Sequence, residues 1–168
     1  MKLAAVVLAG AVAAIGLAAL AAETPGLVGK PAPEINATYW LNAPPLSLAK
    51  LKGHVVVVEF WATWCPPCLK SIPHLVELHK KYGPQGVAII GLTDEPKAKV
   101  EPFVKEKGMT YAVGGGSTSG GAYGVRGIPT AFIVDTAGTV TWQGHPLDPK
   151  FEETLAEQIK KTPPAKPK

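Results

Sequence analysis

At 168 residues, 46% of them hydrophobic, the chain can bury one core of ordinary size and is too short to expect two domains. Its net charge of +4 is spread along segments where lysines alternate with acids and gathers only in the last nine residues, which reads as a solvated surface and not as a nucleic-acid stripe. Seventeen prolines and eighteen glycines punctuate periodic segments without forming a low-complexity tract, and there is no internal repeat.

Met1-Lys2 is a short positive start, Leu3 to Leu20 is almost wholly Ala, Leu, Val, Ile and Gly, and Ala19-Leu20-Ala21 has the small-x-small form of a cleavage site. Residues 1–22 therefore read as a signal peptide or, since the apolar stretch approaches the roughly 20 residues that span a bilayer, as a retained membrane anchor. With no cysteine nearby, a lipoprotein leader is excluded. Export to the periplasm or cell envelope follows, an oxidising compartment where a structural disulfide would be ordinary.

Ala32 to Leu51 is broken by prolines, with a strand-like piece at Thr38 to Leu41 and a helical turn at Leu46 to Leu51, and reads as an N-terminal extension. Val55 to Phe60 is a β-branched run that predicts a strand buried on both faces. Cys65 to Tyr82 carries a helical stripe of Leu69, Ile72, Leu75, Val76, Leu78 and Tyr82, kinked at Pro73 and stopped at Gly83-Pro84. Val87 to Leu92 is a second buried strand. Lys97 to Lys107 is an amphipathic helix ended by Gly108, Met109 to Val113 a short strand, and Gly114 to Gly121 a flexible Gly/Ser loop. Thr130 to Asp135 and Thr139 to Gln143 read as a hairpin across Ala137-Gly138. Phe151 to Lys161 is a last helix, and residues 162–168 a disordered Pro/Lys tail. The alternation predicts an α/β fold, a three-layer sandwich.

The chain has two cysteines, in Trp64-Cys65-Pro66-Pro67-Cys68, at the junction of a buried strand and a helix. That placement suits electron exchange with other thiols. Together with Gly29-Lys30-Pro31-Ala32-Pro33, Glu59-Phe60-Trp61-Ala62-Thr63 and Tyr123-Gly124-Val125-Arg126-Gly127-Ile128-Pro129-Thr130, it makes Gly29 to Lys161 resemble the thioredoxin superfamily. Within that superfamily it is similar to the exported TlpA/ResA-like thiol:disulfide oxidoreductases. The resemblance implies a thioredoxin fold over residues 23–161, with a central mixed β-sheet and the N-terminal extension. It also implies protein substrates bearing thiols or disulfides, such as apocytochrome c or copper-site proteins, and a membrane electron donor.

The chemistry follows from the residues. Cys65 enters a helix N-terminus, where backbone N–H groups and the dipole favour thiolate, so it is the expected nucleophile. Cys68, one turn in, is shielded and resolves the mixed disulfide. Pro66 and Pro67 stiffen the turn and tune its potential. A permanent disulfide is the plainer alternative, though a two-residue loop closes little chain. Glu59 lies six residues before Cys65 in an apolar strand, where an ionised carboxylate is costly. It is a candidate proton acceptor for Cys68 through a water, with a surface-facing or ion-paired glutamate as the alternative. Thioredoxins carry an acid at the matching place, paired with a lysine on the next strand, and Val87 to Leu92 contains none. The exported family often has a glutamate three residues after the second cysteine, and this chain has Ser71.

Pro129 matches the cis-proline of the fold, which makes Ile128-Pro129 a platform for an extended substrate, the alternative being a trans proline opening a strand. Trp64 is expected at the rim of the substrate groove and Trp61 in the core. His74 and His79 are five apart, not the i, i+4 spacing of helix-borne ligands, so no metal site and no cofactor are expected. Asn36-Ala37-Thr38 fits a glycosylation sequon of a kind frequent by chance. Two other functions stay open: a copper(I) carrier using both thiolates, and a thiol peroxidase, against which Thr63 stands two and not three residues before Cys65.

Overall fold

The computed structural model describes residues 26–162. The leader assigned to residues 1–22 and the tail beyond Thr162 lie outside them. Within the described residues no helix is long and apolar enough to cross a membrane.

Among the described residues six strands form one mixed sheet: β1 (Tyr39–Leu41), β2 (Val55–Phe60), β3 (Val87–Leu92), β4 (Ala112–Gly115), β5 (Thr130–Val134) and β6 (Val140–Gly144). Their order is β1-β4-β3-β2-β5-β6, with β2, β3 and β4 parallel and β1, β5 and β6 antiparallel to their neighbours. The helices are α1 (Pro66–Tyr82), α2 (Lys97–Glu106) and α3 (Pro149–Lys161). Every residue of β2 is buried, as a continuous apolar run at the centre of a sheet requires.

Alternation along β2 divides the core. Val55, Val57 and Trp61 join the buried stripes of all three helices, while Val56, Val58 and Phe60 join Ile35, Ile90, Leu92, Tyr123, Phe132 and Val140. The three layers are thus helix, sheet and coil: the third is made of the extension and the 117–127 loop. The extension also guards both sheet edges. Gly29 and Ala32 donate backbone hydrogen bonds to Val140 of β6 and to Gly138 just before it, and at the opposite edge the three-residue β1 covers β4, so that little open edge is left to invite aggregation. The carboxylate of Glu34 accepts from the Leu48 and Ala49 amides at 2.6 and 3.1 Å, which closes the short turn of 3-10 helix at Ala49–Leu51.

Several boundaries differ from the sequence reading, most by one residue and those of β4, α3 and the 3-10 turn by more. β4 begins at Ala112 and runs through Gly115, so the Gly-rich segment is part sheet: a β-carbon at Gly115 would overlap the Tyr39 ring, and glycine is what lets β1 lie there. Met109 is not strand but a buried plug whose amide reaches back to Val104 O of α2. The rest of the loop is tied down as well. Asn36 Oδ1 accepts from the Thr118 amide at 2.8 Å, and Ser119 Oγ accepts from the Asn36 amide at 2.8 Å. α3 starts two residues earlier than its apolar stripe, because Asp148 caps it by accepting from Lys150 N and Pro149 occupies the first turn, where a missing N–H costs nothing. α1 runs through Pro73 without interruption.

Candidate active site

Cys65 and Cys68 are joined in a disulfide at the junction of β2 and α1. Cys65 is the N-cap of α1, and the two residues that follow have no N–H to offer. Of the first-turn donors, Leu69 N bonds Cys65 O, which leaves Cys68 N, and this points at Cys65 Sγ at 3.3 Å. The sulfur of Cys65 is therefore favoured as an anion by one directed N–H and the helix dipole, not by the fan of amides the sequence suggested. Opposite it stands the Ile128–Pro129 peptide bond, which is cis, with the Ile128 carbonyl 3.6 Å from Cys65 Sγ. In the disulfide that sulfur has no hydrogen, so this is a contact. On reduction the same geometry offers the thiol an acceptor. Exposure distinguishes the two cysteines by little, at 2% for Cys65 and none for Cys68.

Trp64 turns outward and is 66% exposed, whereas Trp61 is buried and packs its ring 5.6 Å from that of Phe103. Two clefts flank the proline loop. One of about 360 Å³ runs from Trp64 past Phe60, Leu92 and Asp94 to Val125 and Ile128. A larger one of about 580 Å³ lies on the other side, between Leu27, Gln143 and the loop from Gly121 to Thr130. The smaller is the one that borders the segment leading into Cys65.

Glu59 lies on the helical side of the sheet with no exposed surface. Its strand neighbours in register are Gly91 and Ala131, which carry no charge. Ser71 of α1 donates to its Oε1 at 3.0 Å, and Oε2 meets no protein donor among the described residues. Burial pushes the carboxyl up to about 8, against a smaller downward pull from the Ser71 hydrogen bond. A group balanced near neutrality can give and take a proton. Burial, then the nearby Glu59 charge, drives the phenol of Tyr111 well above its ordinary range, so it stays neutral.

Glu95, three residues past β3, escaped the sequence reading. Its carboxylate is 6% exposed, accepts from Thr63 N at 2.7 Å and Thr63 Oγ1 at 2.8 Å, and pairs with Lys99. Burial alone would raise it, but Lys99 and the two Thr63 bonds together hold it below the usual carboxylate range. Glu95 thus fastens the link between β2 and Cys65 to the far side of β3. Its signal was an acid just after a strand with a lysine at i+4. His79 is half-buried against Tyr111, ring centroids 6.5 Å apart, and His74 stands against Phe151.

Residues 28–143 match the model of the AhpC/TSA family. The chain is 38% identical over 140 residues to the thiol-disulfide oxidoreductase ResA of Bacillus thuringiensis (strain Al Hakam), covering 82% of this chain and 79% of that one. It is 35% identical over 121 residues to the ResA of Geobacillus thermodenitrificans, covering 70% and 69%. Among solved structures it resembles a thioredoxin-family thiol:disulfide interchange protein of Chlorobium tepidum TLS, at TM-score 0.63 and 30% identity over 79% of this chain and 94% of that one. A thioredoxin-like superfamily protein matches at TM-score 0.69 and 26% identity, covering 79% and 95%.

Proposed function

Since the chain belongs to the AhpC/TSA family and is a thiol-disulfide oxidoreductase, we propose that it reduces protein cysteines in the bacterial cell envelope. In this reading the Cys65 thiolate attacks one sulfur of a substrate disulfide. The other sulfur leaves as a thiolate and takes a proton from solvent. Cys68 then gives its proton to Glu59 through a water and attacks Cys65 Sγ, expelling the second substrate thiolate. Two electrons pass to the substrate, and the Cys65–Cys68 disulfide is the product.

The observation that carries the reading is the position of Cys65 Sγ, which receives the Cys68 amide and faces the Ile128 carbonyl. Trp64, Ile128 and Pro129 would seat the substrate: the Ile128 backbone pairs with an extended chain and Trp64 covers an apolar neighbour of the target cysteine. Pro66 and Pro67 tune the pair by leaving one amide for the sulfur. Export, by a cleaved leader or a retained anchor, rests on residues 1–22. Apocytochrome c or copper-site proteins as substrates, and a membrane electron donor, rest on the family resemblance. Against a peroxidase, the Thr63 hydroxyl donates to Glu95 at 2.8 Å and is not turned to Cys65.

The test is the reduction potential of the pair, measured by equilibrating residues 23–168 with graded thiol buffers. A value below about −230 mV, toward thioredoxin, supports a reductant that needs a donor. One above about −180 mV, toward strong oxidants, makes the protein a disulfide donor and removes the cytochrome and copper-site assignment.

A further inference from the structure

Ser71 has no part in the scheme above, yet it is as buried as Glu59 and sits one turn beyond Cys68 on α1. Its Oγ is 3.0 Å from Glu59 Oε1 and 2.9 Å from the carbonyl oxygen of Cys68. A hydroxyl owns one hydrogen, so it donates to one of these partners at a time. The carboxyl decides which. A protonated Glu59 donates from Oε1 to Ser71 Oγ, and the Ser71 hydrogen goes to the Cys68 carbonyl. An ionised Glu59 can only accept, so the Ser71 hydrogen turns to it and the Cys68 carbonyl gives that donor up. The serine can serve both states without moving its oxygen.

Among the described residues no other protein group hydrogen-bonds the Glu59 carboxyl, although the Trp61 indole N–H, beside Gly91, and the Tyr111 hydroxyl are buried without partners. On the same side of the sheet, β3 and β5 place Gly91 and Ala131 beside Glu59, α2 contributes Val100 and Val104, and α3 contributes Phe151 and Leu155. Among the described residues the titratable groups of that cluster are the cysteines themselves, Tyr82 and Tyr111, whose phenol stays neutral, with His79 against the Tyr111 ring.

We propose that Ser71 is a positioning residue for the resolving half of the reaction, holding the Glu59 carboxylate against the first turn of α1 with the one hydrogen bond it receives among the described residues. The inference rests on Glu59 as the proton acceptor. Cys68–SH and Glu59–COO⁻ become Cys68–S⁻ and Glu59–COOH. The thiolate forms the Cys65–Cys68 bond as the bond from Cys65 to the substrate breaks, and the proton later passes from Glu59 to solvent. Removing the hydroxyl makes the carboxylate harder to form, so less of it is present at neutral pH to take that proton.

Stopped-flow reaction of the reduced protein with dithiobis(nitrobenzoate) separates the steps. The first thionitrobenzoate released reports attack by Cys65, and the second reports resolution by Cys68. In Ser71→Ala the first phase is expected to keep its rate. The second slows about tenfold at pH 7, its midpoint moving up by about one pH unit, since one unit is tenfold in carboxylate population. Ser71→Thr restores both, and in a Glu59→Gln background Ser71→Ala adds nothing. Ser71→Val, isosteric with the threonine variant and without a donor, gives a shift of the same sign as the alanine variant and serves if that variant does not fold. An unmoved midpoint, equal slowing of both phases, or slowing that persists with Glu59→Gln overturns the role of Ser71 alone. A second phase untouched by Glu59→Gln overturns the proton role of Glu59 and this inference with it. Absence of the first phase in the unaltered protein overturns the assignment of Cys65.

Discussion

Glu59 and Cys65 are six residues apart on one stretch of chain, and the protein drives their ionisation in opposite directions by different means. At Cys65 the agent is backbone: a helix begins there, two prolines withhold their amides, and the one left over points at the sulfur. At Glu59 the agent is burial: the carboxyl has no exposed surface and uncharged neighbours on both flanking strands, and its proton is held up to about 8. Side-chain chemistry alone would make the carboxyl the readier anion of the two by several pH units. The fold narrows or reverses that order. The proposed two-step exchange needs an anion at its nucleophile and a proton acceptor balanced near neutrality, and the places of Cys65 and Glu59 on α1 and β2 would supply them.

The largest effects should come from the Cys65 end. Cys65→Ser is expected to bring reduction of a model disulfide down to the level of buffer, and Cys68→Ser to accumulate mixed disulfides with substrate, visible on non-reducing gels. If Cys65→Ser keeps full activity, the exchange chemistry does not run through this pair.

The Glu59 end should show itself next, in stability. Its folded value lies above the ordinary carboxylate value, so between about pH 4.5 and about 8 the folded protein holds a proton that the unfolded chain has released. The benefit is complete below that window and lost as pH rises through it, on the order of a few kcal/mol. Urea unfolding of the disulfide form, in which the cysteines do not titrate, should therefore show stability falling from pH 5 to pH 8.5. Glu59→Leu should flatten the fall and raise stability at pH 8.5. An unchanged slope in that variant would mean that burial does not set this group.

What could be read from sequence tracks the same division. Continuous burial over Val55 to Phe60 and the stripe of α1 predict strand, helix and the placing of Cys65 at their junction, because those features depend on local periodicity. The helical face of the sheet was legible for that reason. On the coil face the strand at Tyr39–Leu41 and the turn at Ala49–Leu51 were legible, but their packing was not, because it is built from long-range hydrogen bonds such as Asn36 to Thr118 and from glycines whose need is seen only when Tyr39 and Thr38 lie against Gly115 and Gly116. Glu59 was legible as an acid in an apolar run, but Ser71 as its donor required the register of α1 over β2. Glu95 was missed because its partner Thr63 is 32 positions away in the chain.

Glu95 bears on the comparison because it holds the link between the two ends. Glu95→Ala strips the Thr63 amide of its acceptor and leaves it partly buried without a replacement, a loss of about 1–3 kcal/mol. The looser link should slow exchange several-fold and raise hydrogen exchange at Thr63. Glu95 sits below the usual carboxylate range in the folded state, so its stabilisation is present above the unfolded value and is lost as pH falls through the folded one. That slope is opposite to the one from Glu59, and the two variants can be told apart by it. Normal exchange at Thr63 in Glu95→Ala would remove the fastening role.

The smallest expected effect lies outermost. Trp64 is 66% exposed, so Trp64→Ala should change unfolding stability by no more than about 0.5 kcal/mol, as surface substitutions do. Its ring nonetheless borders the cleft that reaches Ile128 and Val125, and a flanking apolar side chain of a protein substrate would cover it. Losing that contact should cost about 1 kcal/mol, near fivefold in KM for a protein disulfide. A small disulfide such as dithiobis(nitrobenzoate), which brings no flanking protein side chain to Trp64, should react at an unchanged rate. If both substrates slow equally, Trp64 acts by shaping the start of α1 and the binding surface must lie elsewhere around the proline loop. If only the protein substrate slows, recognition is separable from the ionisation of Cys65 and Glu59, which the fold has already set before substrate arrives.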